Sequence, residues 1–219
     1  MGKRWIILIA VGLAVGIVDQ WTKFLAVKHL TPAIAQAGAS GSTPMTETEI
    51  ATQLEGMSTG EQISAFFGHL KHPCRTARAR CRAVSVVDGF WNWRYVENPG
   101  AAWGIMSQSD EDVRIPFFLI VPIAAVIFII AFVRKLEDDQ YLSIAAMSLV
   151  FGGAIGNFID RLHLSYVIDF IDWYVGKSHW PTFNFADAAI STGVGLLILE
   201  WLRDWQRARS GQTAEKATT

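Results

Sequence analysis

Six ionisable residues lie in or beside long apolar stretches: Asp19, Lys23, Asp160, Arg161, Asp187 and Glu200. A charge placed in hydrocarbon is costly, so each is a candidate for function. Two of the carboxylates share a local pattern, Asn157-Phe-Ile-Asp160 and Asn184-Phe-Ala-Asp187. A spacing of i to i+3 puts each Asn on the same helical face as its Asp. A carboxamide there can donate to a carboxylate or hold a substrate carbonyl. Two carboxylates a few Å apart cannot both ionise easily, so the pair shares a proton and titrates in two steps. Such a pair can hydrolyse a peptide bond with no metal and no nucleophilic side chain. Its ionised member takes a proton from water, and its protonated member donates to the carbonyl oxygen. Helix ends favour the anion at Asp187, near a helix N-terminus, over Asp160, near a C-terminus, with Arg161 opposing the second effect. The expectation is a resting charge on Asp187.

Each group also has a plainer role available. Asp19 and Lys23, at i and i+4, can form an intrahelical ion pair. Asp160 and Arg161 can simply end a helix. Glu200 reads as a solvated helix end within reach of Arg203.

The elements that must position these residues are membrane spans. The chain has 219 residues, of which 51% are hydrophobic and 18% charged, and its mean hydropathy is +0.27. Those values argue against both a soluble globular domain and a disordered chain. A net charge of −1 gives no basic field for nucleic acid, so no nucleic-acid partner is expected. Two cysteines are too few for a disulfide-dense scaffold. Ile115 to Val133 and Tyr141 to Ile159 carry no charged residue. Each covers roughly 28 Å as a helix, close to the hydrocarbon thickness of a bilayer. Two weaker apolar runs flank them. The expected fold is a mainly α membrane protein with four transmembrane helices, at 5–27, 115–133, 141–159 and 183–202. All belong to one integral membrane domain, 1–219, with a small extracytoplasmic β-rich element and a helical insertion.

Basic residues set the orientation. Lys3, Arg4, Arg134, Lys135, Arg203, Arg207 and Arg209 flank the spans and fall on one side when both termini are cytoplasmic. The tail is then 203–219. The first span resembles a signal peptide, but Asp19, Trp21 and Lys23 occupy the region where cleavage would fall, so it is retained. Residues 28–113 and 160–182 face the far side, and five of the six ionisable residues meet at that boundary. Within 28–113, Thr46-x-x-Glu49 and Ser58-x-x-Glu61 read as capping boxes for two short helices. Val84 to Val96, around Asp88-Gly89, reads as a hairpin. Gly152 and Gly156 form a GxxxG step whose close helix contact could bring the carboxylates together.

Taken in order, these motifs resemble the lipoprotein signal peptidases, signal peptidase II. The match runs through Asp19-Gln-Trp-Thr-Lys23, Asn98-Pro-Gly-Ala-Ala-Trp-Gly104, Gly152-Gly-Ala-Ile-Gly-Asn-Phe-Ile-Asp-Arg161, Val167-Ile-Asp-Phe170 and Phe183-Asn-Phe-Ala-Asp187. It covers roughly residues 5 to 30 and 90 to 205. The resemblance implies an aspartic endopeptidase of the bacterial inner membrane, with its active site at the outer face. It would cleave diacylglyceryl-modified prolipoproteins before the lipidated cysteine. Asp160 and Asp187 would be catalytic. Asp19, Lys23, Asn98, Gly100, Ala101, Asn157, Arg161 and Asn184 would bind substrate or support the pair. Globomycin-like cyclic peptides would inhibit it, membrane lipid would be a partner, and no cofactor or metal would be needed. Asp169 matches a motif and is read as structural; Asp172 matches none and is read as a polar loop residue.

Two departures accompany the resemblance. Trp103 stands where the family more often has Phe. The outer segment is several dozen residues longer, with an extra part at about 31–85, read as a surface elaboration without a catalytic role. That part holds Cys74 and Cys81. In an oxidising compartment they can form a disulfide, while zinc binding with His69 and His72 is a weaker alternative. Arg75, Arg78, Arg80 and Arg82 make the stretch basic enough to contact anionic headgroups. Outside this family, intramembrane carboxylates also serve proton-coupled transporters. A noncatalytic assembly factor is a third possibility, which would tolerate loss of either Asp160 or Asp187.

Overall fold

A computed structural model describes residues 2–37, 45–68, 81, 83–100 and 110–217. In chain order the elements are α1 (Lys3–Leu30), α2 (Ala33–Ala37), α3 (Glu47–Gly56), α4 (Thr59–Phe67), β1 (Ala83–Val87), β2 (Trp91–Asn98), α5 (Glu111–Val133), α6 (Tyr141–Leu164), β3 (Val167–Val175), β4 (Ser178–His179) and α7 (Phe185–Ala217). Four of these, α1, α5, α6 and α7, are long and apolar enough to cross a membrane. Their outward faces carry exposed apolar side chains such as Leu13 and Ile17 on α1, Ile120 and Ile127 on α5, and Ile198 and Leu199 on α7. Apolar faces of that extent fit lipid, not water.

Helix α6 is the centre of the bundle because its small residues admit neighbours on two sides. A Cβ on Gly152 would lie 2.6 Å from Gly12 O and from Val15 Cβ of α1, and one on Gly156 would strike the Asp19 carboxylate. The GxxxG step therefore seats α1. The approach of α7 uses a different residue, Gly153, whose added Cβ would lie 2.5 Å from Ala186 O. So the step does not itself join the helices that carry Asp160 and Asp187. Helix α5 packs on α6 and α1 through Ile129, Val133, Leu136, Ile144, Met147 and Leu8. At that end Asp138 accepts from the Lys3 and Arg4 backbone N–H groups (3.1 and 3.4 Å). It supplies the side-chain cap that Gly2 lacks.

At the opposite end a four-stranded antiparallel sheet, ordered β1-β2-β3-β4, lies on the end of α1. The Asp88-Gly89 turn joins β1 to β2, with Gly89 at φ 77°, a conformation that favours glycine. The expected hairpin is thus present. The short connection between α6 and α7 adds β3, which pairs along β2 from Trp91↔Trp173 to Asn98↔Val167. Phe24, Val27, Ile34, Phe66, Tyr95 and Ile168 form the core between sheet and helices. Both capping boxes are present, at Thr46 with Glu49 and at Ser58 with Glu61.

Three sequence expectations change. Helix α6 continues to Leu164 and turns at Ser165 in the left-handed region (φ 63°), so Asp160 and Arg161 lie within its final turns and do not end it. Asp172 is not a loop residue. It is fully buried on β3, bonded to His179 Nδ1 (2.7 Å) and accepting from the Asn92 amide (3.4 Å). Glu200 is not merely solvated: Ser143 of α6 donates to it. Cys81 is not a free thiol. Cys74, His69, His72, Arg75, Arg78, Arg80 and Arg82 lie outside the described residues, as do Ala101 and Trp103.

Candidate active site

The N-terminus of α7 is built by its own sequence. Asn184 precedes the helix. Its Oδ1 accepts from Asp187 N (3.0 Å), and Asp187 Oδ2 accepts from Asn184 N (3.2 Å). That reciprocal exchange is a capping box with Asn and Asp in place of Ser and Glu. A second carboxylate reaches the same terminus from α1, where Asp19 Oδ1 accepts from Ala186 N (2.9 Å). Both carboxylates pair N–H groups that a helix N-terminus leaves without intrahelical partners.

Lys23 collects the other groups. Its ammonium donates to Asp19 Oδ2 (2.8 Å), Asp160 Oδ2 (2.9 Å) and Asn157 Oδ1 (2.9 Å). All three of its protons are used, and Lys23 and Asp19 are fully buried. The intrahelical Asp19–Lys23 pair exists, but it is one edge of a larger network. Asn157 Nδ2 donates to Asp187 Oδ1 (2.8 Å). Lys23 and Asn157 therefore join the two candidate carboxylates, one from α6 and one from α7.

The two carboxylates sit differently. Asp160 is buried. Its oxygens accept from Gln20 Nε2 (2.8 Å) and Ile168 N (3.0 Å) as well as from Lys23. Asp187 is half-buried, so it is the more accessible member. Arg161 follows Asp160 on α6 and feels its charge. Its guanidinium donates to Gly100 O (3.2 Å) and Asn157 O (3.4 Å) and lies 4.9 Å over the Phe118 ring.

The sheet supplies the remaining walls. Asp169 on β3 is 1% exposed. It accepts from Asn184 Nδ2 (2.8 Å) and Asn98 Nδ2 (3.0 Å), tying α7 to the end of β2. Burial pushes its carboxyl well above the usual range, and the charge of Asp187 adds to the effect. Asn98 Oδ1 accepts from Gly100 N (3.1 Å), which shapes the turn that Arg161 then holds. Tyr95 and Tyr166 meet below, hydroxyl to hydroxyl, at 3.3 Å. Burial raises both phenols, Tyr166 to about 12.

Asp19, Lys23, Asn98, Gly100, Asn157, Asp160, Arg161, Asn184 and Asp187 thus form one connected site. Two members were not singled out from sequence. Gln20 sits between Asp19 and Lys23, and an amide beside an intramembrane carboxylate was its available signal. Ile168 N could not have been found, because a backbone donor leaves no trace in residue type.

A family model described as signal peptidase (SPase) II matches residues 69–203. The "Lipoprotein signal peptidase" of Anaeromyxobacter sp. (strain Fw109-5) is 38% identical over 98% of this chain and 90% of its own length. The chain belongs to the signal peptidase II family. Another relative of the same name, from Geobacter sulfurreducens, is 44% identical over 58% of this chain and 78% of its own length. Two solved bacterial membrane enzymes share the fold. One aligns with a TM-score of 0.59 at 29% identity over 91% of this chain and 90% of its own. The other has a TM-score of 0.57 at 27% identity over 90% and 93%. Membership in signal peptidase II makes the chain a membrane peptidase, and it lends no support to a proton-coupled transporter.

Proposed function

We propose that this chain is an aspartic endopeptidase that removes signal peptides from diacylglyceryl-modified bacterial prolipoproteins, cutting before the lipidated cysteine. Asp160 and Asp187 are its catalytic pair. The observation that carries this is their environment: two carboxylates from different helices, bridged through Lys23 and Asn157, one held fast and one accessible.

In the reaction the ionised carboxylate of the pair takes a proton from water, and the water oxygen bonds to the scissile carbonyl carbon. The protonated carboxyl gives its proton to the carbonyl oxygen. On collapse the C–N bond breaks and a proton returns to the leaving amine. Lys23, Gln20 and Ile168 N fix Asp160, and Asn157 and Asn184 N fix Asp187. Arg161, Asn98 and Gly100 form the side on which substrate backbone is held, and the family motif assigns Ala101 to the same role. Asp19 and Asn184 secure the start of α7.

Placement follows from charge. The basic flanks favour cytoplasmic termini, and the carboxylates then lie at the outer face of the inner membrane. There the substrate's acyl chains stay in lipid while the scissile bond reaches a polar site. Globomycin-like cyclic peptides are the expected inhibitors.

Cleavage of a diacylglyceryl-modified prolipoprotein by the purified chain in detergent tests the assignment. Asp160→Asn and Asp187→Asn should each lower kcat by about 10³-fold or more while the protein stays folded. Cleavage that survives either substitution removes the dyad.

A further inference from the structure

We infer that helix α4, part of the insertion, is the rear wall of this active site, and that Phe66 and Phe67 are positioning residues for Asp160. The inference rests on the catalytic assignment of Asp160 above. It replaces the expectation that residues 31–85 are a surface elaboration.

Helices α3 and α4 form one block. Gln62 of α4 is 6% exposed, and its amide donates to Leu54 O and Met57 O (2.9 and 3.1 Å). That bond pattern fixes the direction in which α4 leaves the Ser58 cap. Its last turn then lies across the outer ends of α1 and α6. Phe66 is 5% exposed and sets its edge on Phe24 of α1, with ring centroids 5.7 Å apart. Phe67 packs at 4.9 Å against Phe66 and at 6.0 Å against His163 of α6. Two adjacent aromatic residues thus bridge two transmembrane helices.

What lies under the bridge is the back of the catalytic carboxylate. Gln20, Ile159, Asp160, His163, Phe66 and Phe67 line a small half-open pocket of about 10 Å³, close to the least that admits a single water. The charged groups acting on Asp160 come from elsewhere: Lys23 and Asp19 from α1 and Arg161 from α6. The end of α4 brings only rings. Without them the pocket widens and admits more water. Water then competes for the Gln20 donor and raises the local dielectric around the Lys23–Asp160 bond. The insertion therefore acts through Asp160. It keeps that carboxylate dry from behind and in one orientation while substrate arrives from the Asp187 side.

The test uses full-length chain in detergent with a diacylglyceryl-modified prolipoprotein, measuring kcat, KM and melting temperature together. Phe67 is 44% exposed, so Phe67→Ala should leave the melting temperature nearly unchanged. It should lower kcat about tenfold with KM within about twofold. Phe67→Leu should restore most of the rate, because bulk is what the wall needs. Phe66→Leu keeps the core filled and should lower kcat by a smaller factor. Glu47→Ala on α3 should change nothing. Wild-type kcat and KM in both Phe67→Ala and Phe66→Leu would overturn the inference. So would a rise in KM alone, which would make Phe67 a substrate contact. Asp160→Asn run alongside separates the two claims: if it remains active the catalytic assignment fails, whatever α4 does.

Discussion

In the second Asn-x-x-Asp unit, Asn184 stands just before a helix, and its exchange of bonds with Asp187 is the cap of that helix. In the first unit, Asn157 and Asp160 lie inside α6, where every backbone N–H already has a partner. Asn157 therefore turns outward to Lys23 and Asp187, and Asp160 takes its partners from α1 and β3. One spacing gives two outcomes because a helix terminus has free N–H groups and a helix interior has none. The second unit is stabilised locally. The first depends on tertiary neighbours. Removing those neighbours should therefore damage the first unit most.

The largest effect is expected from Lys23→Met. It strands buried Asp19 and Asp160 without their countercharge, at a cost of about 3–5 kcal/mol, and thermal unfolding in detergent should show it. A small loss would mean that the carboxylates hold their places unaided, which would erase the contrast. Asn184→Ala comes next, at about 2–3 kcal/mol, from a lost cap and lost buried amide bonds. Asn184→Ser should recover about 1 kcal/mol, because Ser can still cap. Asn157→Ser should recover nothing relative to Asn157→Ala. Equal behaviour at the two positions would break the comparison.

Gly153 faces Ala186, inside the second unit, and holds the two units together. Gly153→Ala should force α6 and α7 apart at about 1–3 kcal/mol and lower cleavage. Gly16→Ala, whose Cβ would meet only Gly152 O at 4.0 Å, should stay within about 1 kcal/mol. The subtlest test is a slope. Asp169 has a raised folded value against an ordinary 3.8, so between the two the folded state binds more protons than the unfolded state. Stability therefore falls as pH rises above about 4. In Asp169→Asn that part of the slope should vanish from the melting temperature measured against pH.

Much of the fold was legible in advance. The spans were visible because hydrocarbon tolerates few charges, and the capping boxes and the Asp88-Gly89 hairpin because they are local. The longer reach of α6 and the burial of Asp172 were not. The second depends on β3 pairing with β2, a contact between segments about 70 to 80 residues apart in the chain. The GxxxG step was visible as a close-packing surface, but its partner was not: it seats α1, while Gly153 seats α7.

The sequence by itself determined which residues could do chemistry and that five of them fall near neighbouring ends of their apolar spans. Residue type fixes acidity and hydrogen-bonding capacity, and apolar length fixes depth. Only the tertiary structure decided that Lys23 bonds Asp160, that Arg161 turns to Gly100, and that α4 closes the back of the site. Those outcomes depend on which helix faces meet, and that choice is made by the packing of small residues and rings across the whole bundle.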